Sequence, residues 1–293
     1  MRQRESHLRA HILPRSGHEA PHTVNVEALQ QFATDLRKVL SRKSVVQILV
    51  TVFGILAYAE KCGTLVVKVS LKDLQLGSST DRKETAYFTI EQATNIIATA
   101  KEPYRTLFAI AWNTGLRAGE ILALTVADLD FERKTIRVDK TADDNTREIR
   151  QPKTKSSVAL LPMPSALETM LRNYLKHLWK SNAGGFLFPN PKGTRPKLRD
   201  NVVKYGLKRV LKRLGIPAND VGLHGFRHGL ATELAESAVP LPVLQPQMRH
   251  ADVRTTLRIY AHAIPSSQRD AIEQLASRSI STVVPISTDS RVN

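Results

Sequence analysis

Met248 to His262 reads MRHADVRTTLRIYAH, and with His224-Gly225-Phe226-Arg227 shortly before it this run decides how the chain is read. Tyr260 stands ten residues after His250, on a stretch whose spacing predicts two short helices. His224 and Arg227 are related as i and i+3, so on a helix both side chains leave one face. Near a helix N-terminus that face also offers unpaired amides to an anion. Farther upstream, Thr114-Gly115-Leu116-Arg117-Ala118-Gly119-Glu120 places another arginine at a junction between two predicted helices. Tyr104 to Asn113 is apolar, Gly115 suits the left-handed position past a helix end, and Ala118 to Leu124 reads as the next helix. Glu120, one turn from Arg117, would orient its guanidinium through a paired carboxylate. Taken singly, each histidine reads as a structural group and each arginine as a surface charge; the combination carries the information.

Composition narrows the partners. The 293 residues are enough for a sizeable core and more than one domain, and 42% are hydrophobic. Lys and Arg number 43 against 27 acids, a net charge of +16, which calls for a polyanion, and nucleic acid is the favoured one. An anionic membrane surface is the rival, but no basic amphipathic helix with an aromatic face supports it. A single cysteine, Cys62, excludes a disulfide within the chain and a cysteine-based zinc site. The basic N-terminus lacks the apolar core of a signal peptide. Ser44 to Ala59 is the most apolar run, shorter than a bilayer span and interrupted by Gln47 and Thr51, so a buried helix is expected. A cytoplasmic, nucleoid-associated protein follows.

Outward from the motifs, residues 7 to 20 predict a short basic helix stopped at Pro14 and Gly17, followed by helices over Val26 to Leu40 and Ser41 to Lys61. Gly77 to Glu84, GSSTDRKE, reads as a linker, which divides the chain into residues 1–78, a linker at 79–86, a domain at 87–267 and a tail at 268–293. Thr89 and Gln92 form a capping box at the next helix start. Thr135 to Val138 and Val158 to Leu161 predict a hairpin with a long polar tip, Asp139 to Gln151. Asp143 and Asp144 on that tip are expected to be solvated, and no metal site is expected. From Lys192 to Arg213 the chain is most basic. There Val202, Val203, Leu207, Val210, Leu211 and Leu214, with Tyr205, alternate at helical spacing with Lys204, Lys208, Arg209, Lys212 and Arg213. One face should be core and the other should contact DNA backbone.

The order Arg117, His224-x-x-Arg227, His250, Tyr260 resembles the tyrosine recombinase (phage integrase) family over roughly Leu8 to Ile264. The string TGLRAGEILALTVADLDFERKTIRV is similar to the family's first arginine box, LHGFRHGLATELAES to its second, and HADVRTTLRIYAH to the segment bearing its nucleophile. The match departs where members show Leu-Gly-His. Here the residues are Met248, Arg249 and His250, with Pro246 where a helix is expected, so the helix should start after it.

The resemblance implies a mainly α fold with a small antiparallel sheet (α+β), comprising a helical core-binding domain, either abbreviated or trimmed at its start, and a catalytic domain. It implies a site-specific DNA recombinase that joins strands through a 3′-phosphotyrosyl intermediate, without metal, cofactor or ATP. Tyr260 would be the nucleophile, His224 its base and Arg117 and Arg227 the phosphate clamp, with His250 bonded to the phosphate. Lys153, with Lys155 in reserve, would protonate the leaving 5′-oxygen. Double-stranded DNA with specific sites, three further copies of the chain and DNA-bending accessory proteins are the implied partners. The short helix at Gln268 to Ala276 would dock on a neighbouring copy. A non-catalytic DNA-binding homologue and a type IB topoisomerase-like enzyme are the alternatives.

Overall fold

The structure is a computed structural model that describes residues 2–18, 24–63, 70–77, 86–144, 146–151, 158–218, 221–249, 254, 256 and 257. It divides into two compact units, residues 1–84 and 85–293.

The first unit is helical. Helix α1 (Arg2–His7) runs through a π-helical turn (Leu8–Ile12) into α2 (Leu13–Ser16), and the chain turns at Gly17. Pro14 therefore does not stop the helix as expected. It sits in the first turn of α2, directly after the wide turn, where a missing N–H costs least. Helix α3 (Val26–Arg37) is capped by Asn25, whose side chain accepts from the Ala28 amide at 2.8 Å. Ser41 caps α4 (Arg42–Lys61). Leu29, Phe32, Leu36, Val45, Ile48, Leu49 and Val52 form the core between them.

Helix α4 was expected to be buried and is buried along one side only: Val50, Ile55 and Tyr58 are 53%, 40% and 70% exposed. The apolar stripe is wider than the described helices α1 and α3 cover. By length and composition it is the one helix among the described residues able to cross a membrane.

In the second unit, α5 (Ile90–Thr99) starts at the capping box of Thr89 and Gln92, both hydrogen bonds present. Helix α6 (Tyr104–Thr114) is buried on most sides and ends at Gly115, whose φ is +65°. A Cβ there would also press on Met248 and Leu230 at 3.1 Å, so backbone conformation and space both ask for glycine. Helix α7 (Ala118–Ala123) follows at once.

A three-stranded antiparallel sheet comes next: β1 (Leu129–Asp130), β2 (Thr135–Val138) and β5 (Ala159–Pro162), in the order β1-β2-β5, with Ile136 opposite Leu161. The expected polar tip contains a second small hairpin, β3 (Thr141–Ala142) with β4 (Ile149–Arg150). Asp143 and Asp144 are not simply solvated: Asp143 pairs with Arg150 at 3.1 Å and Asp144 with Arg199 at 2.7 Å. The hairpin base is held by buried Asp128, which accepts from Lys140 at 2.7 Å and from the Thr125 hydroxyl at 2.7 Å. Burial alone would raise its pKa, but these donors hold it below the usual carboxylate value.

Helix α8 (Ser165–His177) packs on α6. Helix α9 (Arg199–Asn201), a π-helical turn (Val202–Leu207) and α10 (Lys208–Arg213) form the basic segment. Helices α11 (His224–Glu236) and α12 (Leu241–Met248) complete the described elements. Pro246 lies inside α12, which starts before it rather than after it. The fold is therefore mainly helical with small antiparallel sheets.

Candidate active site

The site is built where α6, α11 and α12 end or begin together. Helix α11 is pinned by Phe226, fully buried, whose ring stacks on Phe108 at 5.3 Å and lies 4.8 Å from Phe88. That anchor fixes the first turn of α11, and with it the residues on either side, His224 and Arg227.

Arg227 is buried, 3% exposed, and its guanidinium bridges two helix ends. Nη1 donates to the Gly115 carbonyl at 2.5 Å and Nη2 to the Met248 carbonyl. These are carbonyls left over at the C-termini of α6 and α12, where a cation is favoured. Burial, then the neighbouring charges of Arg117 and Arg249, pull its pKa down to about 9, Glu120 opposing, which leaves the group charged at neutral pH.

Arg117 is the N-cap of α7 and is exposed. Its amide donates to Glu120 Oε2 at 2.7 Å, and its Nη1 to Oε1 at 3.1 Å. The expected Arg117–Glu120 pair is thus present. Nη2 also donates to the Arg249 carbonyl at 3.2 Å.

The imidazole of His224 meets that of His228 edge-on, with centroids 4.6 Å apart. His224 is open to solvent, yet the surrounding protein desolvates the ring and His228, Arg227 and Arg117 add positive charge. Its pKa falls to about 4, so the ring is neutral at neutral pH. Burial and Arg227 lower His228 likewise.

In sequence, Arg249 stands out only as a departure from the Leu-Gly-His pattern. It is the left-handed C-terminal residue of α12, φ +48°, with its side chain buried and ion-paired through Nη2 to Glu120 Oε2. A charge in place of an expected glycine at a helix end was the one signal for it. His228 gave none beyond lying one turn after His224.

Of the other expected site residues, Lys153, Lys155, His250 and Tyr260 lie outside the described residues, as does Gln268 to Ala276. Lys204, Lys208, Arg209, Lys212 and Arg213 are all exposed, while Val202, Gly206, Leu207, Val210 and Leu211 are buried. None of the five cations is paired with a carboxylate among the described residues. Tyr205, expected with the core, is 41% exposed on the basic side, with Lys204 and Arg209 each 5.2 Å from its ring. Ordinary helical spacing already puts Tyr205 on the side of Lys208 and Lys212, away from Val203 and Val210. Arg199, by contrast, is spent on Asp144. No group of three His, Cys, Asp or Glu among the described residues could hold a metal ion.

The family model for the phage integrase family matches residues 86–266. A tyrosine recombinase XerC-like protein of Caldanaerobacter subterraneus subsp. tengcongensis is 33% identical over 193 residues, covering 58% of this chain and 48% of that protein. The transposase from transposon Tn916 of Enterococcus faecalis is 31% identical over 178 residues, 57% of this chain and 44% of that one. The chain thus spans about half the length of these relatives. Among solved structures, the Tn1549 transposon integrase in complex with transposon right end DNA superposes with a TM-score of 0.76. It is 26% identical, with 93% of this chain and 92% of that chain covered.

Proposed function

The chain belongs to the phage integrase family, and from that premise we propose that it is a site-specific DNA recombinase, cleaving and rejoining strands through a 3′-phosphotyrosyl intermediate. The observation that carries this reading is the convergence of the Arg117 and Arg227 guanidiniums at the ends of three helices, beside a neutral His224.

A phosphodiester gains negative charge on its non-bridging oxygens as a nucleophile adds. Fixed, forked guanidiniums stabilise that charge without reorganising. Arg227 is held rigidly by its carbonyl partners, and Arg117 faces solvent, where a phosphate approaches. Tyr260 is proposed as the nucleophile. A phenol of pKa about 10 needs activation, and a histidine with pKa near 4 is a weak base. The positive field of the arginines is therefore the larger influence, with His224 taking the proton as it leaves. His250 bonds the phosphate in this scheme, and Lys153, or Lys155, protonates the 5′-oxygen.

The covalent link conserves the energy of the broken bond, so rejoining by another 5′-hydroxyl needs no ATP, and the arginines take the role a metal would otherwise fill. Double-stranded DNA, a homotetramer and DNA-bending accessory proteins belong to this reading, as does a cytoplasmic, nucleoid-associated location. So does a division into a core-binding domain at 1–78, a catalytic domain at 87–267 and a protomer-contacting tail.

The test is adduct formation on a nicked duplex carrying the recombination site. Wild type should become covalently linked to DNA on a denaturing gel in the presence of EDTA, and Tyr260→Phe should bind without linking. Absence of adduct from wild type favours the non-catalytic DNA-binding reading; adduct from Tyr260→Phe moves the nucleophile elsewhere.

A further inference from the structure

We propose that Arg249 is a positioning residue for Arg117, acting through Glu120, and that it sets how strongly this site holds a phosphate. The proposal rests on the reading of the arginine cluster as a phosphate site. Glu120 is buried and has two oxygens to give. Oε1 accepts from the Arg117 guanidinium at 3.1 Å; Oε2 accepts from the Arg117 amide at 2.7 Å and from Arg249 Nη2. Arg249 thereby shares with the Arg117 amide the oxygen that Glu120 would need to grip the Arg117 guanidinium side-on. The Arg117 guanidinium meets Glu120 through Nη1 alone, and beyond the one hydrogen that Nη2 gives to the Arg249 carbonyl it keeps its remaining donors, and most of its charge, for another anion.

The main chain tightens the arrangement. The Arg249 carbonyl accepts from Arg117 Nη2 at 3.2 Å, and the preceding carbonyl, of Met248, accepts from Arg227. Arg117 and Arg227 are thus both tied to the turn at 248–249, which leads directly into the segment bearing His250 and Tyr260. The backbone supports a selected role for the side chain. A left-handed φ of +48° suits glycine and disfavours arginine, so Arg249 holds this position against a local preference. Its Nε is buried with no partner among the described residues.

The experiment compares full-length wild type, Arg249→Gly, Arg249→Asn and Arg249→Lys. Glycine and asparagine both accept the left-handed backbone without the charge, so one serves if the other fails to fold. With the chain ¹⁵N-labelled at arginine, inorganic phosphate is titrated and the Arg117 Nε–H signal followed, assigned with Arg117→Lys. The neutral variants should melt no lower than about 2 °C below wild type yet bind phosphate about tenfold more weakly, with Arg249→Lys within about threefold of wild type. The assignment is overturned if wild-type Arg117 does not respond to phosphate, if the neutral variants bind as wild type does, or if lysine rescues nothing. Adduct formation on a nicked duplex separates the two readings. Wild type that binds phosphate at Arg117 but forms no adduct removes strand cleavage and leaves the positioning role intact.

Discussion

Arg117 and Arg227 look alike in sequence and are opposite in physical situation. Arg117 is exposed and shares a carboxylate; Arg227 is buried and satisfies carbonyls at two helix ends. Replacing Arg227 with alanine should cost about 2 kcal/mol of stability, because the Gly115 and Met248 carbonyls lose their donor, partly offset by relief of repulsion among three guanidiniums. Arg117→Ala should cost less, about 1 kcal/mol, because Glu120 Oε1 loses its donor. Both should abolish adduct formation, and chemical denaturation set beside the cleavage gel distinguishes them.

The histidines give a second test. His224 has its pKa lowered to about 4, and that of His228 is lowered too, so below the unfolded-state value of about 6.5 the unfolded chain binds more protons than the folded one. The contribution is complete above pH 6.5 and is lost as pH falls toward 4. The melting temperature should decline across that window, and less so in a His224→Gln, His228→Gln double variant. An identical decline in both would show that these imidazoles are not depressed. The resemblance led to Arg117, His224 and Arg227. It did not lead to Arg249 as the second partner of Glu120, because that contact joins residues 129 positions apart and depends on a left-handed turn no local pattern encodes.

At the scale of elements, what was legible depended on whether the signal was local. The capping box at Thr89, the glycine end of α6 and the pairing of β2 with β5 were all readable, since each follows from a few adjacent residues or from alternation. The β3–β4 hairpin was not. Its strands are two residues long, and its polar turn is tied from outside by Arg195, donating to the Thr146 carbonyl at 3.4 Å, and by Arg199 through Asp144. The π-helical turn at Val202–Leu207 was also hidden, because apolar spacing suits an ordinary helix equally well. There a Cβ on Gly206 would approach the Tyr104 ring to 2.5 Å, so the wide turn lays its backbone directly on α6. Helix α11 offers the element-level prediction. Its seat is the Phe88–Phe226–Phe108 stack, so Phe226→Ala should destabilise by about 3–4 kcal/mol and Phe226→Leu by about 1.5 kcal/mol. If thermal melts instead show alanine costing under about 1 kcal/mol, the first turn of α11 is held by something other than this stack.

For the whole molecule the governing quantity is the net charge of +16, and under the proposed function it should meet DNA chiefly through its unpaired cations. Lys204, Lys208, Arg209, Lys212 and Arg213 lie exposed on α10 and the turn before it, with no described carboxylate to neutralise them, whereas Arg199 and Arg150 are already committed to acids. A cation released from no internal partner gives its full counterion exchange to a phosphate. One already paired must first break that pair. Binding to duplex DNA should therefore weaken steeply with salt, with a logarithmic slope of about −0.9 for each phosphate neutralised. Replacing Lys208 and Lys212 together by glutamine should make the slope shallower by about 2, while Arg199→Gln should shift it by well under 1. Fluorescence anisotropy over a range of salt concentrations reads both. Equal changes from the paired and unpaired positions would mean that DNA contact is decided by location alone, and a slope unmoved by the double variant would remove this helix from the DNA-facing surface.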